Sequence, residues 1–591
     1  MPHGVTLNPT FGKHSGKNNN GSHKQTMTAR SRIARLSMII ALLAPSGPAV
    51  SQVVPGAAPR PEVLEIPGAP ATPRSGIDIR LPGPAGAAVS LPPSVTARLF
   101  RITGLTQIPI DDANLVLAPW VGRSLTPNEL LAAVEALSAF LRERDLPIAQ
   151  ALIPPQDFRN GIVEITVLEG RLGQLRMDTA ADLRVRASVV ERFTKSLRSG
   201  EPVRGDNLEQ SLLLLNDLPG IRVEAALTAG AQAGSADLLV KVENDGHPLS
   251  AILTLDNAGL RATGEYRTDL NLRWRSPLGL GDLLALRLLA SHTGGQKLSS
   301  LTYGLPVNDQ GTRLGLRVSE QDYRLGREFA PLLAHGRQRA LSLLVSHPLL
   351  RRATRNIYLS AAYSELNFSD RQDAVGAESD SRQRIASLGI TADFRDGFAG
   401  GGVSVLQAQA YAGNTSLRTP VLAALDDAPG GLGVAGRYTV WRLRAQRVQA
   451  IDAQSSLTAS VVAQTASRNL DAGSELAIGG PDAVRAYPAG ELFADQGHIT
   501  HLDYRRTLRI FDNAPTTISL FHDYARVEVN RSPLPTDTSN KRSYGGFGLG
   551  LVQPIGSNVT LQTSIAWRTT AQPLSEPDRR PRVWVALAAR I

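Results

Sequence analysis

The chain has 591 residues, of which 42% are hydrophobic, and its mean hydropathy is -0.10. This length exceeds that of one compact domain, and the longest apolar run, residues 36–44, is well short of the roughly 20 residues that a membrane-spanning helix needs. The net charge of +10 does not indicate nucleic-acid binding, because acidic residues accompany the basic ones and no long Lys/Arg block is present. The absence of cysteine excludes disulfides, thiol catalysis and cysteine-bound metals.

Residues 1–51 are predicted to be an N-terminal extension and a signal peptide, with Met27 as the expected start. A basic segment, the apolar run and the small residues 49–51 follow in the order of a secretory signal. A short buried helix is the alternative, which the charged flank and the prolines after the apolar run disfavour. Residues 52–94 are rich in proline and glycine, which predicts a linker.

Residues 95–170 have the pattern of a small α/β unit. A strand is expected around Phe100 and Ile102. Thr126 and Glu129 form a capping box with proline at the first helical position, so a helix should begin there. Its apolar face would consist of Leu130, Val134, Leu137 and Leu141. Alternation at Val163, Ile165 and Val167 then predicts a half-buried strand.

Residues 171–245 repeat this order as a second α/β unit. We expect a strand near residues 172–177, a helix around residues 189–197 and a second helix capped by Asp206. Alternation in residues 221–227 and 238–242 predicts a closing β-hairpin. Neither unit shows a convergent catalytic or phosphate-binding arrangement. They are therefore interpreted as binding modules that accept an extended chain by strand addition, with simple spacers as an equal alternative.

From residue 246 to residue 591, segments of about ten residues alternate apolar and polar side chains, as membrane β-strands do. Trp441, Leu443 and Ala445 face one way in such a segment, and Arg442 and Arg444 face the other. Arginines on one face indicate a water-filled lumen, because strands cross lipid only in a closed barrel. The polar stretch Arg371–Arg384 is interpreted as a surface loop, and a soluble β-sandwich is the alternative fold. The same alternation appears in Leu270, Leu272, Trp274, Leu314, Leu316 and Val318, and in the last strand with Val583, Val585, Leu587, Ala589 and Ile591 opposite Trp584 and Arg590.

A series of short blocks in this region resembles the outer-membrane transporters of two-partner secretion, the haemolysin-activator or TpsB family. The blocks are Leu255–Gly259, Thr263–Gly264, Ser276–Asp282, Tyr303–Pro306, Tyr323–Gly326, Ser346–Leu349, Ser474–Gly480 and Val484–Tyr487. Each block alone is weak, but their order and spacing together are specific. The resemblance covers about residues 95–591, and the two α/β units are similar to the paired polypeptide-transport-associated (POTRA) domains of the family.

The resemblance implies a membrane all-β fold: a 16-stranded transmembrane β-barrel preceded by two small α/β POTRA domains. It also implies that a loop carrying Arg485 folds back into the lumen and meets Asp523. Asp523 lies two residues after Phe521 and so shares its face, opposite apolar neighbours. The expected conformational lock comprises Arg485, Tyr487, Val484, Phe521 and Asp523, with Gly479 and Gly480 as loop glycines. Without the resemblance, Arg485 would be interpreted as a solvated loop charge.

The chain departs from the family pattern in three respects. Alanine stands at Ala486 and Ala525, where the family usually or often has glycine. Ile591 stands where outer-membrane barrels commonly have a terminal aromatic residue. Some family members have a plug helix before the barrel, for which only the short piece Pro61–Ile66 gives support.

The predicted function is secretion of an unfolded exoprotein of the TpsA type, a haemolysin or adhesin, through the barrel of the Gram-negative outer membrane without ATP. The resemblance implies as partners a secreted protein with an N-terminal secretion domain, outer-membrane lipid and the barrel-assembly machinery. The chain is expected to be monomeric, without enzymatic activity, cofactor, metal or nucleic acid. A barrel-assembly insertase is the main alternative, and a passive porin is a further one. An enzyme is the least favoured, because His292 and His501 lack ligand spacing or a partnered acid.

Overall fold

The computed structural model describes residues 91–158, 160–510, 514–534 and 539–591. The predicted signal peptide, the expected start, most of the linker and the segment considered for a plug helix lie outside these residues. None of the helices within the described residues is long and apolar enough to cross a membrane.

The described residues form five α-helices and 26 strands, with three short 3-10 turns. The helices are α1 (Ile110–Leu117), α2 (Pro127–Glu143), α3 (Ala187–Thr194), α4 (Gly205–Asn216) and α5 (Pro420–Asp427). The strands before the barrel are β1 (Val95–Ala97), β2 (Leu99–Thr103), β3 (Arg123–Leu125), β4 (Gln150–Leu152), β5 (Ile162–Leu168), β6 (Arg171–Thr179), β7 (Ile221–Ala229) and β8 (Ser235–Asn244). The remaining strands are β9 (Leu249–Asp256), β10 (Arg267–Arg275), β11 (Leu283–Ser291), β12 (Gln296–Pro306), β13 (Arg313–Arg324), β14 (Ala334–Arg351), β15 (Arg355–Gln372), β16 (Ala377–Asp396), β17 (Gly402–Leu417), β18 (Gly436–Ala450), β19 (Ser455–Ala466), β20 (Leu476–Ile478), β21 (Leu492–Ala494), β22 (Gln496–Arg509), β23 (Pro515–Glu528), β24 (Lys541–Ile555), β25 (Val559–Arg568) and β26 (Arg582–Arg590).

The first α/β unit packs α1 and α2 on a three-stranded sheet of order β2-β5-β4. The predicted capping box is confirmed: the Glu129 amide donates to the Thr126 hydroxyl, and the Glu129 carboxylate accepts the Thr126 amide at 2.8 Å. The four predicted apolar residues of α2 are buried. The helix is therefore held by an apolar face and a satisfied first turn.

The second unit packs α3 and α4 on a sheet of order β6-β8-β7, and the predicted hairpin β7–β8 is confirmed. The prediction that Asp206 caps α4 is wrong. Arg204 occupies the cap position without a side-chain bond, and Asp206 lies in the first turn. Its amide instead donates to the carboxylate of Asp145, which follows α2 in the first unit, at 2.6 Å. An acidic side chain from the neighbouring unit therefore does the work of a local cap.

Sixteen strands, β9–β19 and β22–β26, form a closed antiparallel barrel in which β26 pairs with β9. The strand number that the resemblance implied is confirmed, and the β-sandwich alternative is wrong. The apolar face of the alternating segments is exposed at the outer surface: Trp441 is 63% and Val318 52% accessible. On the opposite face, Arg442 donates to Gln464 of the next strand at 2.9 Å. The barrel thus has a lipid-facing apolar exterior and a polar interior.

The prediction that Arg371–Arg384 is a surface loop is wrong, because β15 and β16 continue through it and only residues 373–376 turn. Arg371 forms ion pairs across the hairpin with Asp380 at 3.1 Å and with Glu378 at 3.4 Å. Paired charges are compatible with strands. Polarity alone therefore did not distinguish a loop from a charged hairpin.

The second α/β unit packs against one mouth of the barrel. Arg351, at the end of β14, donates from Nε and Nη2 to the two carboxylate oxygens of Asp217 at 2.7 and 2.9 Å. Both side chains are buried. Gly279, in the turn after β10, accepts the Arg186 amide of the second unit. Because β19 runs away from this mouth, the loop of residues 467–495 begins at the opposite mouth.

Candidate functional site

Residues 467–495, which we term the pore loop, connect β19 to β22 and fold back into the barrel. The short strands β20 and β21 pair with each other rather than with the wall. They carry the tip of the loop, residues 479–491, to the inner faces of β22 to β26. Val484 and Tyr487 at the tip are completely buried. The pore loop therefore occupies part of the lumen.

Two glycines allow the loop to turn at its tip. Gly479 and Gly480 have φ values of +86° and +98°, which other residues rarely adopt. A Cβ atom on Gly479 would lie 2.2 Å from the carbonyl oxygen of Pro488 on the returning limb. The Gly480 amide donates to the Tyr487 carbonyl at 3.0 Å. Glycine at these positions allows the two limbs to approach this closely.

Arg485 forms the ionic centre of the site. Its Nε and Nη2 atoms donate to the two carboxylate oxygens of Asp523 at 2.8 and 2.6 Å. Its Nη1 atom donates to Asp503 on β22 at 2.9 Å. The Arg485 backbone amide also donates to Asp523, at 3.0 Å. One guanidinium thus joins the loop to two neighbouring strands through charge-assisted bonds.

The side chains of this ion cluster are largely buried. Asp523 is completely buried, and Nδ1 of His501 lies 2.9 Å from its Oδ1 atom. The expectation that His501 lacks a partnered acid is therefore wrong. The guanidinium carbon of Arg485 lies 3.4 Å from the centroid of the Phe521 ring, which places the cation on the aromatic face. Removing one member would leave buried charge uncompensated.

Further contacts join the loop to the segment between β25 and β26. The Tyr487 hydroxyl donates to the carbonyl of Ala571 at 2.7 Å, and its ring meets Tyr544 edge-to-face at 4.9 Å. The Glu491 carboxylate accepts the Leu574 amide at 2.8 Å. Val484 packs in the same cluster of buried apolar side chains. The loop is therefore fixed on both sides of Arg485.

The base of the pore loop is fixed by Asp495. This buried carboxylate accepts the backbone amides of Leu470 at 2.9 Å and of Arg531 at 2.6 Å. Burial raises the pKa of Asp495 to about 6, while the two amides act in the opposite direction. Asp495 thus joins both limbs of the pore loop to the connection between β23 and β24.

Glycines on β24 leave room for the loop. A Cβ atom on Gly546 would lie 2.4 Å from the Cβ of Ala486, and one on Gly548 would lie 2.5 Å from the Phe521 ring. The missing side chain at Gly546 therefore supplies the space that the methyl group of Ala486 occupies.

The structure brings all five expected lock residues to this region, and it adds three that the sequence interpretation did not assign to the site. These are His501, Asp503 and Trp584, whose Nε1 atom donates to the Arg485 carbonyl at 2.7 Å. The sequence feature that could have identified His501 and Asp503 is the alternation of β22, which places both on the inward face opposite Leu502. His292 lies elsewhere and packs its ring edge-to-face with Tyr266.

Two family models match the chain. The one described as Haemolysin secretion/activation protein ShlB/FhaC/HecB matches residues 234–552, more than half of the chain. The ShlB-type POTRA domain matches residues 95–170.

Curated proteins and solved structures give the same picture. The chain is 26% identical over 463 residues to the Heme/hemopexin transporter protein HuxB of Haemophilus influenzae (strain 86-028NP), which covers 78% of this chain and 81% of that protein. It is 24% identical over 428 residues to the Outer membrane transporter CdiB of Escherichia coli O6:K15:H31 (strain 536 / UPEC), which covers 70% of each. The structure of CdiB from Escherichia coli superposes with a TM-score of 0.69 at 19% identity, covering 86% of this chain and 93% of that one. CdiB from Acinetobacter baumannii gives 0.61 at 17% identity, covering 98% and 100%. At these identities the solved structures support the fold alone.

Proposed function

Because this chain belongs to the haemolysin secretion/activation family ShlB/FhaC/HecB, we propose that it carries an unfolded exoprotein through its own barrel and out of the cell. The chain is an outer-membrane transporter of two-partner secretion, and its POTRA region lies in the periplasm. The mouth that carries the second α/β unit is therefore periplasmic. The pore loop enters from the extracellular mouth.

The pore loop is the observation that carries this proposal. It fills lumen space in a closed barrel, yet it is joined to the wall by side-chain contacts rather than by a continuous strand ladder. The pore loop can therefore leave the lumen without breaking the hydrogen bonds between the barrel strands. We assign Arg485, Asp523, Phe521, Tyr487 and Val484 to a lock that closes the pore, with Gly479 and Gly480 as its turn.

Capture of the exoprotein is assigned to the periplasmic units. We take residues 95–170 and 171–245 as two POTRA domains and residues 246–591 as the barrel. Strands β4 and β6 lie at sheet edges. The Ala151 amide in β4 is bonded to Ser138, and the first residues of β6 are bonded to residues 200–203. The later part of β6 is therefore the edge to which an extended peptide can add as a strand. The substrate class is an unfolded exoprotein with an N-terminal secretion domain.

The chain is proposed to transport without catalysing a reaction, and folding of the cargo outside the cell would draw it forward. It is further proposed to act as a monomer in outer-membrane lipid after insertion by the barrel-assembly machinery. The relatives HuxB and CdiB bear the names of transporters, which supports secretion over the insertase alternative.

Secretion by cells that lack this chain tests the proposal. We expect a large exoprotein to disappear from the medium of these cells and to return when the full chain is supplied. An insertase would instead lower the level of other outer-membrane proteins in these cells. Normal export of the exoprotein in the deletion strain would contradict the proposal.

A further inference from the structure

The seam at which the barrel closes has the shortest ladder of the barrel. Strands β9 and β26 pair over five residues, Ile252–Asp256 with Ala586–Arg590, and Ala251 exchanges two more backbone bonds with Ile591 at the periplasmic end. The other neighbouring pairs, such as β9–β10 and β25–β26, extend over at least eight residues. At the extracellular end of the seam, residues 582–584 of β26 lie beyond the backbone ladder of β9, which ends with the bond between Asn257 and Val585.

Beyond the last residue pair of the seam, the side chain of the residue that follows β9 continues the pairing with β26. The Oδ1 atom of Asn257 accepts the Val585 amide at 2.8 Å, and its Nδ2 atom donates to the Val583 carbonyl at 2.9 Å. The Asn257 backbone amide also donates to the Val585 carbonyl, at 3.2 Å. An amide side chain here reproduces the donor and acceptor of a peptide group. Asn257 thus bonds the main chain of β26 immediately before and immediately after the residue that lies between Val583 and Val585.

That residue is Trp584, which faces the lumen and is 6% accessible. Its indole nitrogen donates to the carbonyl oxygen of Arg485 at 2.7 Å. Arg485 is therefore held by its side chain to Asp503 and Asp523, and by its main chain to the last strand of the barrel. The contacts Asn257, β26, Trp584 and Arg485 form a continuous path from the seam to the pore loop.

The loops around this path support the same connection. Arg579, before β26, forms an ion pair at 2.6 Å with Glu265, which follows β9. A small polar cavity lies between these loops and the pore loop, with Asn257, Pro488 and Trp584 in its lining. The extracellular end of the seam and the returning limb of the pore loop therefore share one contact region.

We propose that Trp584 and Asn257 are positioning residues of the pore loop. Trp584 fixes the Arg485 main chain directly, and Asn257 acts through Trp584 by setting the position of β26 at the seam. The inference deepens the proposed function, since it makes the closure of the barrel wall a condition for the closed state of the pore. Withdrawal of the loop must break the indole bond as well as the ionic contacts.

The absence of cysteine in the chain allows a direct test. Ala483 is a buried loop residue, 2% accessible, and Ala483→Cys would react with a membrane-impermeant maleimide only when the loop leaves the wall. In this background we expect Trp584→Phe, which removes the N–H donor and keeps an aromatic ring, to raise the labelling rate about two- to tenfold, as the loss of one hydrogen bond predicts. Asn257→Leu should raise the rate as well, and adding it to Trp584→Phe should produce no further increase.

Two control variants match these changes away from the loop. Trp274→Phe alters a lipid-facing tryptophan that is 47% accessible, and Asn308→Leu removes an asparagine that bonds Thr312 at the periplasmic mouth. Both should label at the parental rate. Resistance of each folded barrel to SDS at room temperature reports assembly. If Asn257→Leu fails to assemble, Asn257→Asp replaces it: this variant keeps an acceptor for the Val585 amide and puts a carboxylate oxygen in place of the donor to Val583.

Parental labelling in Trp584→Phe would overturn the proposal, and so would effects of Asn257→Leu and Trp584→Phe that multiply, because a seam that acts independently of the indole would give that result. The measurement uses the full chain without cargo. A chain that secreted nothing would still give the expected rates, so failure of the proposed function would appear in the secretion test alone.

Discussion

At the scale of single residues, the site joins opposite charges on side chains that are largely buried. Arg485 faces Asp503 and Asp523, whose side chains are 7% and 0% accessible. A buried ion pair contributes little net stability, but removal of one partner leaves an uncompensated charge. The ion cluster therefore contributes mainly by selecting one position of the pore loop, rather than by adding net stability.

Substitution of Arg485 tests this preference. Arg485→Ala should release the loop, because breaking a buried pair costs about 3–5 kcal/mol, and it should impair secretion while the barrel still assembles. Arg485→Lys keeps the charge but lacks the two-point geometry and should give an intermediate effect. Export of the exoprotein and SDS resistance of the barrel are the measurements.

Arg339→Ala is the matched control for this test, since Arg339 is 63% accessible in its pair with Glu320. It should leave export unchanged. Full secretion by Arg485→Ala would remove the proposed role of this residue.

A second test concerns the space that β24 leaves for the loop. Gly546→Ala should displace the loop at a cost of about 1–3 kcal/mol, because the new methyl group would lie 2.4 Å from that of Ala486. Ala486→Gly in the same chain should restore the loop. Labelling of Ala483→Cys measures both effects.

Gly397→Ala is the control, since a Cβ atom there meets nothing within 4 Å. If Ala486→Gly fails to rescue Gly546→Ala, the two positions are not complementary.

At the scale of elements, alternation and capping predicted local structure well, whereas contacts between distant elements were beyond their reach. The capping box at Thr126 and the outward face at Trp441 follow from neighbouring residues. The meeting of Arg485 with Asp523 was implied by the resemblance rather than by spacing. Trp584 was placed on the correct face, but its bond to Arg485 depends on closure of the barrel.

The predictions for Asp206 and for residues 371–384 were wrong because polar groups found partners that the sequence pattern did not indicate. Asp206 did not cap its helix because Asp145, 61 residues earlier, bonds its amide. The stretch 371–384 formed strands because its charges pair across the hairpin. Asp145 is far from Asp206 in sequence, whereas Asp380 lies only nine residues from Arg371 and reaches it across the hairpin turn.

At the scale of the whole molecule, a buried ion pair is one of the contacts that hold the second α/β unit to the periplasmic mouth. Arg351→Met should loosen this unit from the barrel, because Asp217 would remain buried without its partner at a cost of about 3–5 kcal/mol. Hydrogen exchange in α4 should increase while exchange in the barrel strands stays slow.

Arg222→Met is the matched control, since Arg222 is 66% accessible in its pair with Asp245 and should change exchange little. Unchanged protection of α4 in Arg351→Met would show that other contacts hold the unit.

Closure of the barrel also bears on how the molecule is made. Asn257 and Val583, bonded across the seam, are 326 residues apart along the chain. Pairings of such long range form slowly, and until they form, the first strand presents an open edge on which other chains can aggregate. The nascent transporter therefore depends on protection of β9 during its biogenesis, before it can handle any cargo of its own.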